Sequence, residues 1–519
     1  MATLPDAASI SDGVFVKTEK VVNWEDNDGV KFWKFRLNRS GNCMRMKRML
    51  YRYPFFIAAS ILFPFEAAKI SRSEWGGDFW THSAVVHELS FHLLHPKNPI
   101  IKSDIPHAFY SPYSLLVASF ASLTHINTIP ALEIFAYLNL AFFLVSFYLF
   151  TKSIFKDHHQ LVACTGLVLL LLFWGADPPG WSGFYHLIVL KDVLPYPSTF
   201  AMSLSFFVLS ILAGRPSLNF MQSLFVIIFS SIIFVSHPTT FIFLFLCTIA
   251  LYRSFYSLSI QLTLAKTAVI MLPALLLCLL WPYFNIIDLF TRDNAIFHQE
   301  SKILYQDIPE KVWPIAAALP ALLFFKKDRV FNFLSLSIGV MVVVYVAGDL
   351  TGKYGLSRLL SPIMIYGNLL TSYFLLYLFK TNATFFKVYL LSCLAGLILC
   401  VYLNRASLTK TLDMSKPIQT HYYSKYAFLQ NIVNRYDLVL SDTNSNQYIP
   451  TFSGKVVAFK SPLYWINDIN ERKASVISFF NPSTSDTLRQ IIIDKYHPDY
   501  VLIDQTSKRK DSTLLLLKR

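Results

Sequence analysis

Tyr53-Pro-Phe-Phe-Ile-Ala-Ala-Ser-Ile-Leu-Phe-Pro-Phe-Glu66-Ala-Ala-Lys69-Ile70 runs straight into Ser71-Arg-Ser-Glu74-Trp75-Gly-Gly-Asp78-Phe-Trp80-Thr-His82, and this junction decides how the chain is read. The first part is apolar and close to the ~20 residues that a membrane-crossing helix needs. The second part is polar and titratable, and His87, His92, His95 and Pro96-Lys-Asn-Pro99 extend it. Carboxylates and imidazoles at a membrane edge cost free energy, so a concentration of them reads as a functional site.

Composition supports the membrane reading along the whole chain. Of 519 residues, 54% are hydrophobic and 15% charged, against roughly 45–50% and about 25% in a soluble domain. Mean hydropathy is +0.44. Apolar runs recur to about residue 403, so the fold class expected is a polytopic α-helical membrane protein. Cys43 lies in the polar N-terminal stretch, and Cys164, Cys247, Cys278, Cys393 and Cys400 lie in apolar runs where a thiol is a small hydrophobe. No pair of them has metal-ligand spacing. Residues 1–50 are mostly polar and lack the apolar core and cleavage site of a secretory signal. Lys31, Lys34, Arg36, Arg39, Arg45, Lys47, Arg48 and Arg52 come with no acid between them. Beside a hydrophobic span such a run marks the cytoplasmic side rather than a nucleic-acid footprint. The net charge of +14 is thus mainly a topology signal.

With the N-terminus cytoplasmic, the basic loops set about eleven spans in register. The first delivers residues 70–130 outside as the first external loop. Ser114–Thr124 is too short to span and suits an interfacial helix. Later spans return at Lys152 and Lys156, at Arg215 and at Arg253, and, after an external loop to Lys311, an eighth span reaches Lys326-Lys327-Asp328-Arg329. The last two end near Lys380 and Asn404. Beyond Arg405, the runs Asp437–Asp442, Lys455–Lys460 and Tyr500–Ile503 read as short buried parallel strands. Ser485–Tyr496 reads as a helix with Leu488, Ile491, Ile492 and Tyr496 on one face, and Leu514–Leu517 as a possible last strand. The expected organisation is a cytoplasmic tail 1–52, a membrane module 53–404 and an extracytoplasmic α/β domain 405–519.

On this threading the ionisable groups gather at one membrane face rather than at mid-membrane, where a transporter would place them. Outside are Glu66, Glu74, Asp78, His82, Asp177, His186, Lys191, Asp192, His237, Arg292, Lys302, Asp349, Lys353 and Arg358. Several sequence features join them: Asp78 with Trp80 and His82, Asn98-Pro99, Tyr110-Ser-Pro-Tyr113, Pro195-Tyr-Pro-Ser-Thr-Phe200, His237-Pro-Thr239 and Gly355-Leu-Ser-Arg358-Leu-Leu-Ser-Pro362. In that order, and with the tail runs Val439–Asp442, Ile449–Val457 and Lys495–Ile503, the chain resembles the GT-C class of integral-membrane glycosyltransferases from about residue 50 to 519. The resemblance implies an inverting transfer from a polyprenyl-phosphate-linked sugar to a glycan, lipid or protein acceptor, at the outer face of a bacterial inner membrane. It also implies that the acid of the first external loop is the general base, and Asp78 matches that position.

The remaining roles follow from chemistry. A carboxylate near a partly desolvated hydroxyl takes its proton as the sugar is attacked. Cations must hold the leaving phosphate, with Arg358 first and Lys353, Lys302 and Arg292 behind it. Trp80, His82, His237, Asp177 and Tyr196 are candidates to contact sugar or acceptor. Other readings stay open: Asp78 as a helix cap, Glu74 as the base, Arg358 snorkelling at the interface, and His237-Pro238 as a plain tight turn. His82, His87 and His92 recur every five residues, which holds no single helix face and argues against zinc. The tail has no Trp-Trp-Asp, so a divalent metal is not indicated. An envelope polysaccharide polymerase or ligase, or a lipid-linked-sugar flippase, are the competing classes.

Overall fold

The structure, a computed structural model, describes residues 53–72, 75–291, 300–324, 328–413, 425–461, 463, 465–506 and 512–518. The basic tail, Glu74 and Arg292 therefore lie outside the described residues. Helix α1 (Pro54–Ile70) is followed by two short helices, α2 (Phe79–Phe91) and α3 (Pro112–Thr124). Then come α4 (Thr128–Phe155), α5 (His159–Leu172), α6 (Pro197–Gly214), α7 (Phe220–Ser236), α8 (Pro238–Phe255) and α9 (Ile260–Cys278). After a broken segment follow α10 (Arg329–Leu350), α11 (Leu360–Thr381), α12 (Ala383–Leu403) and the short α13 (Arg405–Leu412). Seven of the described helices are long and apolar enough to cross a membrane, and the chain has a multi-pass membrane fold. Helix α3, with 13 residues, is about 20 Å long and falls short of a ~30 Å hydrocarbon core.

Proline sits in the first turn of α1, α3, α6 and α8, where no backbone N–H is needed. The same residue type breaks the expected eighth span. Residues Ile308–Val312, Trp313–Ala318 and Leu319–Leu322 form three short helical pieces, each with a proline at its start. A continuous helix would lose a hydrogen bond and clash at every one of these prolines. Two glycines let this irregular strip approach its neighbours. The Gly175 N–H donates to the Lys311 carbonyl at 2.8 Å, and a Cβ at Gly175 would stand 1.9 Å from the Glu310 oxygen. At Gly367 on α11 a Cβ would meet the Ile315 side chain at 2.6 Å.

Helix α11 is the central pillar. Of its most apolar stretch 94% is buried, against 11% for α12, which lies at the periphery. One end of the bundle is tied by Lys380 to His158 and by Tyr373 to Asp328. The other end carries Arg358, His237 and Asp78.

The C-terminal part contains the expected sheet, in the order β2-β1-β3-β4. Strand β1 (Leu438–Ser441) lies parallel to β2 (Lys455–Val456) and to β3 (Tyr500–Thr506), while β4 (Ser512–Lys518) is antiparallel to β3. Helices α14 (Ile469–Phe480) and α15 (Asp486–Tyr496) accompany it. The expected apolar face of α15 is only partly used: Ile492 is buried, whereas Leu488 and Ile491 are exposed. The β2 edge meets the first loop directly. The Val456 N–H donates to the Ile100 carbonyl at 2.8 Å, and buried Lys455 donates to buried Glu88 of α2 at 2.8 Å.

Candidate active site

Gly76 and Gly77 make the turn before α2, with Gly77 in the left-handed region at φ +57°. Asp78 follows at the helix start, but its side chain makes no capping bond. That removes the helix-cap reading and leaves the carboxylate to face a cavity of about 780 Å³. Sites for small ligands fall in the range of roughly 300–1,000 Å³. The cavity is walled by Asp78, Lys69 and Arg72 from the end of α1, Trp181 and Ser182 from the loop after α5, Lys191 and Asp192, and Tyr196 before α6. Glu300 and, from α13, Ser407, Lys410 and Thr411 close it. An apolar groove of about 640 Å³ between α8, α10 and the broken strip carries no titratable group.

Asp78 is exposed to the cavity but walled in by protein on its other sides. Burial raises its carboxyl above the usual range, and the nearby Arg358 guanidinium partly opposes that rise. Arg358 sits in the 3-10 turn Tyr354–Leu359 that leads into α11. Its Nη1 donates to Ser182 Oγ at 2.6 Å, and its guanidinium carbon lies 5.3 Å from the centre of the Trp181 ring. Two cavity residues thus hold the cation that acts on Asp78. The Glu300 carboxyl is raised by burial and by the charge of Asp78, and lowered by Lys473 and Arg358.

Tyr196 is a wall residue whose phenol is pushed well above its ordinary value by burial and by the nearby Asp78 and Asp192. His82 is sandwiched between Phe109, at 4.7 Å, and Tyr196, at 4.9 Å. Burial pushes its pKa down to about 3, so the ring is neutral. His237 caps the α7–α8 corner, where Arg358 and His82 are its charged or titratable neighbours.

The structure therefore gathers Asp78, Arg358, Tyr196, His82 and His237 at one end. It does not bring every candidate there. Trp80 is 1% exposed, donates from its indole N–H to the Trp75 carbonyl and packs edge-on to Tyr448, as a core residue does. Asp177 is exposed in the turn after α5 at φ +47°. Lys302 is exposed over the Tyr354 ring, and Lys353 is exposed away from the cavity wall. Trp181, Ser182, Glu300 and Lys410 were not selected from the sequence. Pro178-Pro-Gly-Trp-Ser-Gly183, an aromatic inside a turn-rich loop, offered a signal for the first two; Glu300 and Lys410 offered none. Among the described residues no group of three or more His, Cys, Asp or Glu could hold a metal ion.

No family model and no curated protein matches the sequence. Solved structures do. The oligosaccharyltransferase of Archaeoglobus fulgidus, crystallised with zinc and sulfate, aligns with TM-score 0.55 at 11% identity, over 87% of this chain and 67% of that one. The same archaeal enzyme, AglB, in complex with an inhibitory peptide and a dolichol-phosphate, gives TM-score 0.50 at 11% identity, over 88% and 70%. ArnT from Cupriavidus metallidurans bound to undecaprenyl phosphate gives 0.49 at 9% identity, over 87% and 92%. At such identities the likeness to the archaeal enzyme is one of fold, and that fold is the GT-C membrane fold.

Proposed function

We propose that this protein is a membrane glycosyltransferase that moves a sugar from a polyprenyl-phosphate donor to a hydroxyl of a cell-envelope acceptor, at the extracytoplasmic face. The observation that carries this is an uncapped Asp78 carboxylate on a cavity whose Trp181 and Ser182 hold Arg358. Asp78 takes the acceptor proton as the acceptor oxygen attacks the anomeric carbon. The carbon–oxygen bond to phosphate breaks, polyprenyl phosphate leaves with the electron pair, and one displacement inverts the centre. Arg358 binds the phosphate and stabilises the charge that grows on it. The dolichol-phosphate held by the archaeal structure of the same fold supports a lipid-phosphate donor.

Purified protein given a radiolabelled polyprenyl-phosphate sugar and envelope lipids or glycans is expected to form a new glycosidic bond. Movement of the lipid-linked sugar across a bilayer without bond formation would point to a flippase instead. Arg358→Ala is expected to lose about 1.5–3 kcal/mol of donor binding, the scale of a charged hydrogen bond. Arg358→Lys is expected to raise the donor KM, because a point charge replaces a planar fork. A cation that merely snorkels would leave donor affinity equal in all three proteins.

Sidedness has its own test. A cysteine replacing exposed Asp177, away from the cavity, should react with an impermeant maleimide in intact cells. Labelling only after permeabilisation would invert the topology and place the cavity at the cytoplasmic face.

A further inference from the structure

Thr240, in the first turn of α8, is 4% exposed. Its Oγ1 lies 2.6 Å from His237 Nδ1. One of two tautomers must hold. If Nδ1–H donated to the hydroxyl, the buried hydroxyl proton would have no acceptor among the described residues, and a buried unpaired donor costs about 1–3 kcal/mol. If the hydroxyl donates to Nδ1, the hydroxyl proton and Nδ1 are both paired, and the donor left over is the ring proton on Nε2. Nε2 has no hydrogen-bond partner among the described residues, yet it is not sealed from accessible space, and the ring is half-buried. Burial, then Arg358, then His82 push the imidazole pKa down to about 3, so it stays neutral. Helix α8 packs against the Tyr354–Leu359 turn that carries Arg358, and the Arg358 charge acts on the His237 ring at its start. A neutral, oriented N–H beside a guanidinium suits an anionic oxygen.

We propose that His237 donates a hydrogen bond from Nε2 to the phosphate of the lipid-linked donor, with Thr240 as the residue that positions its proton. This rests on the glycosyl-transfer reading above. It gives the phosphate two donors of different kinds, the charged fork of Arg358 and a neutral imidazole at the mouth of α8.

The test titrates the purified full-length protein in detergent with a polyprenyl phosphate carrying no sugar. His237→Ala is expected to weaken binding about 10- to 100-fold, the range for a hydrogen bond to a charged group. His237→Gln, whose amide nitrogen can take the place of Nε2, should retain most of the affinity. Thr240→Val should weaken binding about 3- to 10-fold. In selectively ¹⁵N-histidine-labelled protein, Thr240→Val should also move one histidine signal from the Nε2–H toward the Nδ1–H tautomer. A purely structural role for the pair would lower the melting temperature of the variants and leave affinity and tautomer as in wild type. Equal affinity in wild type and a folded His237→Ala would overturn the proposal while leaving the transferase reading intact. Failure of the wild type to bind any polyprenyl phosphate would overturn both.

Discussion

Asp78→Asn is expected to lower turnover by about 10²–10⁴-fold, the usual cost of losing a general base, with donor binding little changed. The amide keeps the size of the carboxylate and cannot accept the proton. Since Asp78 makes no capping bond, the substitution leaves the start of α2 intact, and a folding defect is not the expected cause of any loss. The pH profile sharpens the assignment. A base works only when ionised, so activity is lost as pH falls through its pKa. Burial has raised that pKa, which places the acid limb of wild-type kcat above the ordinary carboxylate range. Arg358 holds the carboxyl down, so Arg358→Gln should move the limb to still higher pH. The limb should vanish in whatever activity Asp78→Asn retains. Normal turnover by a correctly inserted Asp78→Asn protein would sink the role of base.

Lys455→Met is expected to cost about 3–5 kcal/mol of stability, because it strands a buried carboxylate. Glu88 and Lys455 are 1% and 3% exposed at their side chains and meet at 2.8 Å. Glu88 also accepts the Lys97 N–H at 3.1 Å, and Lys455 also donates to the Pro99 carbonyl at 3.2 Å. The pair joins β2 to the far end of α2, whose near end presents Asp78. Turnover should therefore fall along with stability. Replacing both partners, as Glu88→Gln with Lys455→Met, should recover much of the loss, since no charge is then left unpaired. Urea unfolding in detergent micelles across the four proteins of the cycle measures the coupling. Additive losses would show that the two residues act independently.

What could be read along the chain were the properties that depend on neighbours in sequence. An apolar run near the length of a bilayer and a lysine or arginine excess on alternate loops are local features. They carried the membrane class and the approach of Asp78 to one end of the bundle, and short apolar runs between turn residues carried the C-terminal sheet. The breaks in the expected eighth span were written there too, as Pro314 and Pro320, although hydropathy alone averages over them. Other features depend on rotation about a helix axis and on contacts between distant segments, which only packing decides. Tyr196 faces the cavity and Trp80 faces the core, although both stand beside spans and both are aromatic. Ser182 meets Arg358 across 176 residues of chain, and Glu88 meets Lys455 across 367. Glu300 and Lys410 join the same wall from segments with no motif of their own. Charge and hydropathy are summed along the chain, but a site is closed by side chains whose proximity comes from the whole bundle folding around α11.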